Sequence, residues 1–248
     1  MNCDWSPLDD ALAACRRDAV PLAFWWRDDD AKAPGAALDR LELLSRHIDL
    51  PVHLAIVPAH AQQSLAASLD TDRLIPVIHG WAHRDHSGGV GKKNEFLNPR
   101  DDAIRDTAKA MAHMRSLFGA ALRPMFVPPW NRINDDVTQA LARQGFSALS
   151  TFGPRKSADA AIGLVRINTH IDPIWWKGTR DLMDPDQLIA QAAGHLDARR
   201  RRVEDPVEPF GLLTHHLVHT DAIWDFTATF AKRVLDGGAT AWVMGNST

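Results

Sequence analysis

Three consecutive carboxylates, Asp28-Asp29-Asp30, follow the apolar run Leu22-Ala23-Phe24-Trp25-Trp26 and a single Arg27. Side by side at the mouth of a buried strand they repel one another. Each also loses hydration unless a cation or a donor meets it. Four other segments carry polar groups of matching chemistry: His79-Gly80-Trp81-Ala82-His83, Pro128-Pro129-Trp130, Asp172-Pro173-Ile174-Trp175-Trp176 and Thr214-His215-His216. A divalent metal is the simplest agent that would gather them. The His-x-x-x-His spacing lets His79 and His83 face one way if a turn of helix follows the strand. One aspartate with two histidines is a facial set of three that leaves room for water.

Such groups need rigid elements behind them. Leu22 to Trp26, Pro51 to Val57, Leu74 to Ile78, Met125 to Val127, Phe146 to Ser150, Leu164 to Asn168, Phe210 to Thr214 and Ala239 to Met244 read as buried strands. Helical spacing or capping residues mark Ser6 to Asp18, Pro34 to Ile48, Ala59 to Leu69, Asn98 to Phe118, Asn134 to Gln144, Asp184 to Arg200 and Asp221 to Leu235. His86 to Asn98 is too irregular for either and reads as a functional loop. The alternation predicts one α/β domain over residues 1–248, with a mainly parallel sheet. Seven or eight strands with interposed helices suit a barrel better than an open sheet, two forms that periodicity alone does not separate. Every polar cluster follows the C-terminal end of a strand, where such barrels keep their active sites.

Taken in order from Leu22 to about Leu235, the five segments resemble the motifs of the polysaccharide deacetylase family, carbohydrate esterase family 4. That resemblance implies a distorted (β/α) barrel of about seven strands. It also implies a metal-dependent hydrolase that removes an acetyl group from an N-acetylated sugar or related amide. The family's Thr-Phe-Asp-Asp-Gly matches Arg27 to Ala31, which makes Asp29 the catalytic base and Asp30 a metal ligand, with Asp28 as an extra acid. His79 and His83 take the places of the other two ligands. Arg-Pro-Pro-Tyr resembles Val127-Pro128-Pro129-Trp130. The Trp130 backbone N–H then falls at the oxyanion donor, and the arginine that steadies the base is missing; Arg27 and Arg132 are its candidate replacements. Asp-x-x-Asp-Trp resembles Asp172 to Trp176, placing Asp172 to orient the catalytic histidine. Leu-x-His matches Leu213-Thr214-His215 and makes His215 the general acid. His216 alternates to the other face of a strand and takes the role only if the register slips.

The implied cofactor is one divalent metal, zinc first, with Co²⁺, Ni²⁺ and Mn²⁺ accepted by the same ligand set. Nine tryptophans and no tyrosine are present, and Trp81, Trp130, Trp175 and Trp176 lie in or beside the motifs. Trp81 and Trp176 are the expected platforms for a sugar ring, whereas Trp25 and Trp26 read as core. A net charge of -3 gives no reason to expect nucleic acid. Two cysteines make no disulfide framework, the first twenty residues lack an apolar signal centre, and no apolar run is long enough to span a bilayer. A cytoplasmic enzyme acting on a small, lipid-linked or nucleotide-linked N-acetyl sugar is the expectation. The competing expectations are a carbohydrate-binding protein with lost turnover and a metal hydrolase of a non-sugar amide or ester.

Overall fold

Capping chemistry sets several helix starts. Pro7 opens α1 (Ser6–Arg17), and the side chains of Asn134, Asp184 and Thr220 accept backbone N–H groups at the starts of α5 (Asp135–Arg143), α6 (Pro185–Arg200) and α7 (Asp221–Asp236). The computed structural model describes residues 3–245, so the two ends of the expected 1–248 domain lie outside the described residues. The remaining helices are α2 (Ala36–Ile48), α3 (Gln63–Ser68) and α4 (Ala103–Phe118). The strands are β1 (Ala23–Ala31), β2 (Val52–Ile56), β3 (Leu74–His79), β4 (Met125–Val127), β5 (Ala148–Leu149), β6 (Asp159–Ala161), β7 (Leu164–Arg166), β8 (Phe210–Thr214) and β9 (Thr240–Ala241). No helix among the described residues is long and apolar enough to cross a membrane.

The differences from the sequence reading have local causes. Strand β1 does not stop at Trp26 but carries all three aspartates within it. Helix α4 starts at Ala103 rather than Asn98, because Asn94 Oδ1 accepts the N–H groups of Leu97 and Asn98 and holds that stretch in a turn. Residues 59–69 split into a single turn, Pro58–His60, and the short α3, since Gln62 N–H is drawn to the Lys32 carbonyl. The link before β7 holds an unexpected strand, β6, paired antiparallel with β7 around Ile162-Gly163, where Gly163 supplies the positive φ such a turn needs.

The ladder runs β6-β7-β5-β4-β3-β2-β1-β8, with β9 added to β1, and every pair is parallel except β6 with β7. This regular ladder is open between β7 and β8. The gap is spanned by the continuation of β7: Thr169 bridges Phe152 beyond β5, and Ile171 bridges Leu212 of β8. Ile171 N–H and Leu213 N–H complete that bridge with the carbonyls of Gly211 and Ile171. The result is a ring of β1, β2, β3, β4, β5, β7 and β8 whose closure is short and irregular, a distorted (β/α) barrel with the C-terminal strand ends at one mouth.

Alternation along β1 sorts its side chains. Phe24 and Trp26 join the large cluster under the helices, whereas Trp25 joins a second cluster with Ala55, Val77, Met125, Val127, Ala148, Ile167 and Met244. That second cluster fills the barrel. The Trp25 indole N–H donates to Asn168 O at 3.1 Å, and a Cβ on Gly211 would sit 2.4 Å from the same nitrogen, so only glycine fits there. Trp25 thus forms a floor, and the next inward residues of β1, Arg27 and Asp29, stand above it.

His53, His170 and His219 are each hydrogen-bonded within the protein. His53 accepts Met244 N–H on Nε2 at 3.1 Å and turns Nδ1 to Trp26 O at 3.3 Å. Burial pushes its pKa down to about 4, with the Trp26 carbonyl partly opposing. A folded-state pKa below the unfolded value of about 6.5 means stability that is complete above that pH and is lost as pH falls towards 4. Thermal unfolding should therefore show Tm dropping between pH 7 and pH 5. The slope of that drop should be shallower in His53→Gln, which cannot take up the proton.

Candidate active site

A straight strand sends neighbouring side chains to opposite faces, so Asp29 and Asp30 could not both serve one site on a regular β1. The register against β2 breaks between Asp28 and Ala31, and Asp30 has a φ of 79°. This irregularity turns Asp30 back over the barrel mouth beside Asp29, a use typical of strand irregularities next to active sites. Asp28, ahead of the break, keeps its outward direction.

Each aspartate then meets a different partner. Asp29 is gripped in two-pronged fashion by Arg27, Nε to Oδ1 at 2.9 Å and Nη2 to Oδ2 at 3.0 Å. Both side chains are almost wholly buried, and the guanidinium also donates to Ser150 Oγ at 2.7 Å and Asn131 Oδ1 at 2.8 Å. The fork geometry holds the carboxylate in one orientation. Of the two candidate replacements for the missing motif arginine, Arg27 is the one on Asp29. Arg132 instead points to the Lys93 carbonyl.

Asp30 faces two imidazoles. Its Oδ1 lies 3.2 Å from His79 Nε2 and 3.1 Å from His83 Nε2, and is buried without a hydrogen-bond partner. Among the described residues these three offer ligand atoms that all lie within 4.8 Å of one another. His79 directs Nδ1 at Val127 O, 3.0 Å away, which assigns the proton of its neutral form to Nδ1 and leaves the Nε2 lone pair aimed at Asp30. Burial, and then the charge of His79, push the His83 pKa down to about 4, so this ring is neutral and free to act as a ligand. Burial would raise the Asp30 pKa, but His79, His215 and His83 outweigh it and hold the carboxyl well below its usual range. Burial would lower the His79 pKa, but the neighbouring Asp29 and Asp30 carboxylates outweigh that and raise it. In the neutral form of His79, one charged oxygen and two lone-pair nitrogens converge without a proton to share, a set that fits a divalent cation.

The expected turn of helix after β3 is not present. Gly80 and His83 both take positive φ, and the buried Glu95 carboxylate accepts the N–H groups of Trp81, Ala82 and His83 at 2.8–3.3 Å. A Cβ on Gly80 would meet Glu95 Oε2 at 2.3 Å. Glu95 therefore sets the return path that brings His83 back to His79. It lies in the irregular 86–98 stretch, where nothing in local spacing distinguishes it. Its one signal is that it is the only acid in the 86–98 stretch.

Pro128-Pro129 delivers another strained turn. Trp130 and Asn131 both have left-handed backbones, uncommon for two successive non-glycine residues. The turn places the Trp130 ring 4.3 Å from that of His83 and Asn131 on Arg27, and the Trp130 N–H has no partner among the hydrogen bonds of the described residues. Asn131 and Ser150, like Glu95, were not singled out by their sequence context.

The two adjacent histidines lie just beyond β8, where the chain enters a short turn, His216–Val218, and they point apart. His216 turns outward, where Nδ1 meets Asp28 Oδ1 at 2.5 Å and its N–H donates to Asp28 Oδ2 at 3.0 Å; Thr214 Oγ donates to the same oxygen at 2.6 Å. Burial opposes both charges, yet each raises the other's ionisation: the Asp28 pKa lies below its ordinary value and that of His216 above. His215 turns inward, its ring 4.7 Å from Trp176. Asp172 does not hydrogen-bond to it. Its oxygens accept Ile174 N–H and the Trp176 indole N–H at 2.8 Å, and burial raises its pKa, with the charge of His215 opposing. Asp172 thus sets the position of Trp176, which in turn abuts His215. The Trp81 ring lies against His113 and Lys109 of α4 and packs on the core, so it is not gathered with Trp130 and Trp176.

No family model and no curated protein matches the sequence. Solved structures do match its fold. A Mycobacterium smegmatis protein described as a polysaccharide deacetylase is 14% identical over 92% of this chain and 94% of that one, with a TM-score of 0.59. A polysaccharide deacetylase from Bacillus cereus is 13% identical over 90% and 92%, with a TM-score of 0.53. A carbohydrate esterase family 4 pseudoenzyme from Bacillus anthracis is 14% identical over 89% of this chain and 63% of that one, with a TM-score of 0.55. The fold is that of carbohydrate esterase family 4.

Removing one partner of a buried ion pair leaves the other charged and unsolvated, at a cost of about 3–5 kcal/mol. His216→Ala should therefore lower the urea unfolding free energy by roughly that much. His215→Ala, at a partly open position without an ion pair, should cost far less.

Proposed function

We propose that this chain is a metal-dependent N-deacetylase, carried by one domain over residues 1–248, acting on an N-acetylated sugar or related amide. The observation that carries the reading is the convergence at one mouth of an arginine-held Asp29, an Asp30-His79-His83 ligand set and an inward His215. Asp30 Oδ1 and the Nε2 atoms of His79 and His83 would hold the ion. When bound, it supplies Lewis acidity to a carbonyl oxygen and lowers the pKa of a water from about 16 towards 7. Zn²⁺ is the first assignment, and Co²⁺, Ni²⁺ and Mn²⁺ suit the same donors.

The chain's own residues supply the rest. Asp29, fixed by Arg27, accepts the proton of the attacking water. The Trp130 N–H donates to the carbonyl oxygen as negative charge develops there. His215 protonates the departing amine, which is too poor a leaving group to go unassisted. His216 is spoken for by Asp28, and its place outside the ring leaves the acid's role to His215. Trp176, with its indole N–H tied to Asp172, offers a fixed apolar face for a sugar ring. An apolar wall with few oriented polar groups is a common form of ligand site.

One of the fold's neighbours is a pseudoenzyme, and His215 Nδ1 is buried without a hydrogen-bond partner among the described residues. Those two facts favour, as the second reading, a binding protein that has lost turnover. Retention of Asp29 and of a substitute arginine favours catalysis, because binding alone needs neither.

Two measurements test the proposal. Elemental analysis should find one divalent ion per chain, lost when His79 and His83 are both replaced by alanine; full occupancy in that double variant would remove the site. Acetate release from a panel of N-acetyl sugars should then fall by about 10²–10⁴ in Asp29→Asn and in His215→Ala, with the metal retained in both. Wild-type rates in Asp29→Asn would sink the assignment of the base.

A further inference from the structure

Both tryptophans exposed beyond a third of their surface, Trp175 at 49% and Trp176 at 40%, lie in the loop that follows Asp172. This loop is closed on itself. Ile174 bridges Leu182, Trp175 N–H donates to Asp181 O at 2.9 Å, and Gly178 and Arg180 N–H both donate to Trp175 O at 3.1 Å. Gly178 is packed so tightly that a Cβ there would lie 2.5 Å from the Trp175 ring. The loop is therefore pre-shaped, and what it displays is displayed in a fixed arrangement.

What it displays is cationic. The Arg180 guanidinium carbon lies 5.3 Å from the centre of the Trp176 ring, and Lys177 is the residue after Trp176; both are exposed. Neither forms an ion pair among the described residues, although ion pairs occupy much of the helical surface of this chain. Three carboxylates lie nearby. Asp172 lies half-buried against Trp176, Asp184 caps α6, and Asp181 turns Oδ1 to Leu182 N–H and the Thr220 hydroxyl. Arg180 also holds a left-handed φ of 60°, an unfavoured conformation for a residue with a side chain.

Trp176 thus stands between His215 and Arg180. Resting on the deacetylase reading, we propose that the substrate is an N-acetylated sugar bearing a phosphate ester, whose ring lies on Trp176 and whose phosphate is held by Arg180 and Lys177. Arginine binds phosphate through its planar fork, and lysine adds a point charge. Because His215 protonates the sugar amine, the phosphate belongs to the leaving-group half of the substrate, not the acyl half. A neutral sugar would meet the tryptophan and leave both cations with water.

The test compares kcat/KM of wild type and the Lys177→Gln/Arg180→Gln double variant. The substrates are N-acetylglucosamine, its 1-phosphate, its 6-phosphate, a nucleotide-diphosphate N-acetylglucosamine, and an N-acetylated uronic acid. Wild type should prefer at least one phosphorylated sugar over the neutral one by about ten-fold or more, as expected for a charge-assisted hydrogen bond. The double variant should lose most of that preference, and raised salt should erode it in wild type. The phosphate esters and the nucleotide distinguish where the phosphate sits; preference for the uronic acid alone would replace phosphate by carboxylate and overturn the proposal. If neutral and phosphorylated sugars are hydrolysed equally, the anion site fails and the deacetylase reading stands. If nothing is hydrolysed, that reading fails, and tryptophan-fluorescence titration with the 1-phosphate still decides the loop. About ten-fold weaker binding in the double variant supports it, and equal binding overturns it.

Discussion

Three adjacent carboxylates inside a buried strand would unfold β1 unless each were neutralised separately, and the mouth of this barrel is built around that constraint. Asp28 takes His216 and Thr214 on the outer face. Asp29 takes Arg27 from its own strand, two residues away and on the same side. Asp30 is left with two imidazoles that have no proton to give it in their neutral forms, which is why the third partner is most simply a cation.

That division of partners also divides the labour. A carboxylate held by two guanidinium bonds cannot turn away, which suits a proton acceptor. A carboxylate facing lone pairs is ready for a metal. One locked onto an imidazolium is withdrawn from chemistry and instead ties the end of β8 to β1. The last of these bears on where His215 points, because His216, at the start of the turn after β8, is fixed outward on Asp28 and its neighbour faces Trp176. Arg27 of β1, rather than a residue of the Pro-Pro turn, supplies the guanidinium on Asp29. The turn keeps a share in it, since Asn131 steadies the far side of the guanidinium.

Rigidity around the site comes from close backbone approaches rather than from long helices. Gly211 lets Trp25 fill the floor, Gly80 lets Glu95 reach three amides of the histidine turn, and the closed 174–182 loop holds Trp176 over His215. Each replaces a flexible connection with a packed one, so the reacting groups need little ordering when a ligand arrives.

Much was legible in the sequence by itself. Apolar runs of strand length and helix caps located most elements, because burial and capping act over a few residues. The order of the five segments brought Asp29, Asp30, His79, His83 and His215 to one mouth, because a parallel barrel collects all its C-terminal strand ends there. Other features belonged to the tertiary structure alone. Whether Asp30 faces the site depends on a break in register against β2, and pairing register is not written in the strand that breaks it. The choice of Arg27 over Arg132, the roles of Glu95 and Asn131, and the turning of Trp81 towards α4 all depend on contacts between residues distant in the chain or on local backbone reversals. A buried charge selects its partner by distance and geometry once the chain has closed, and only the closed chain shows which one it found.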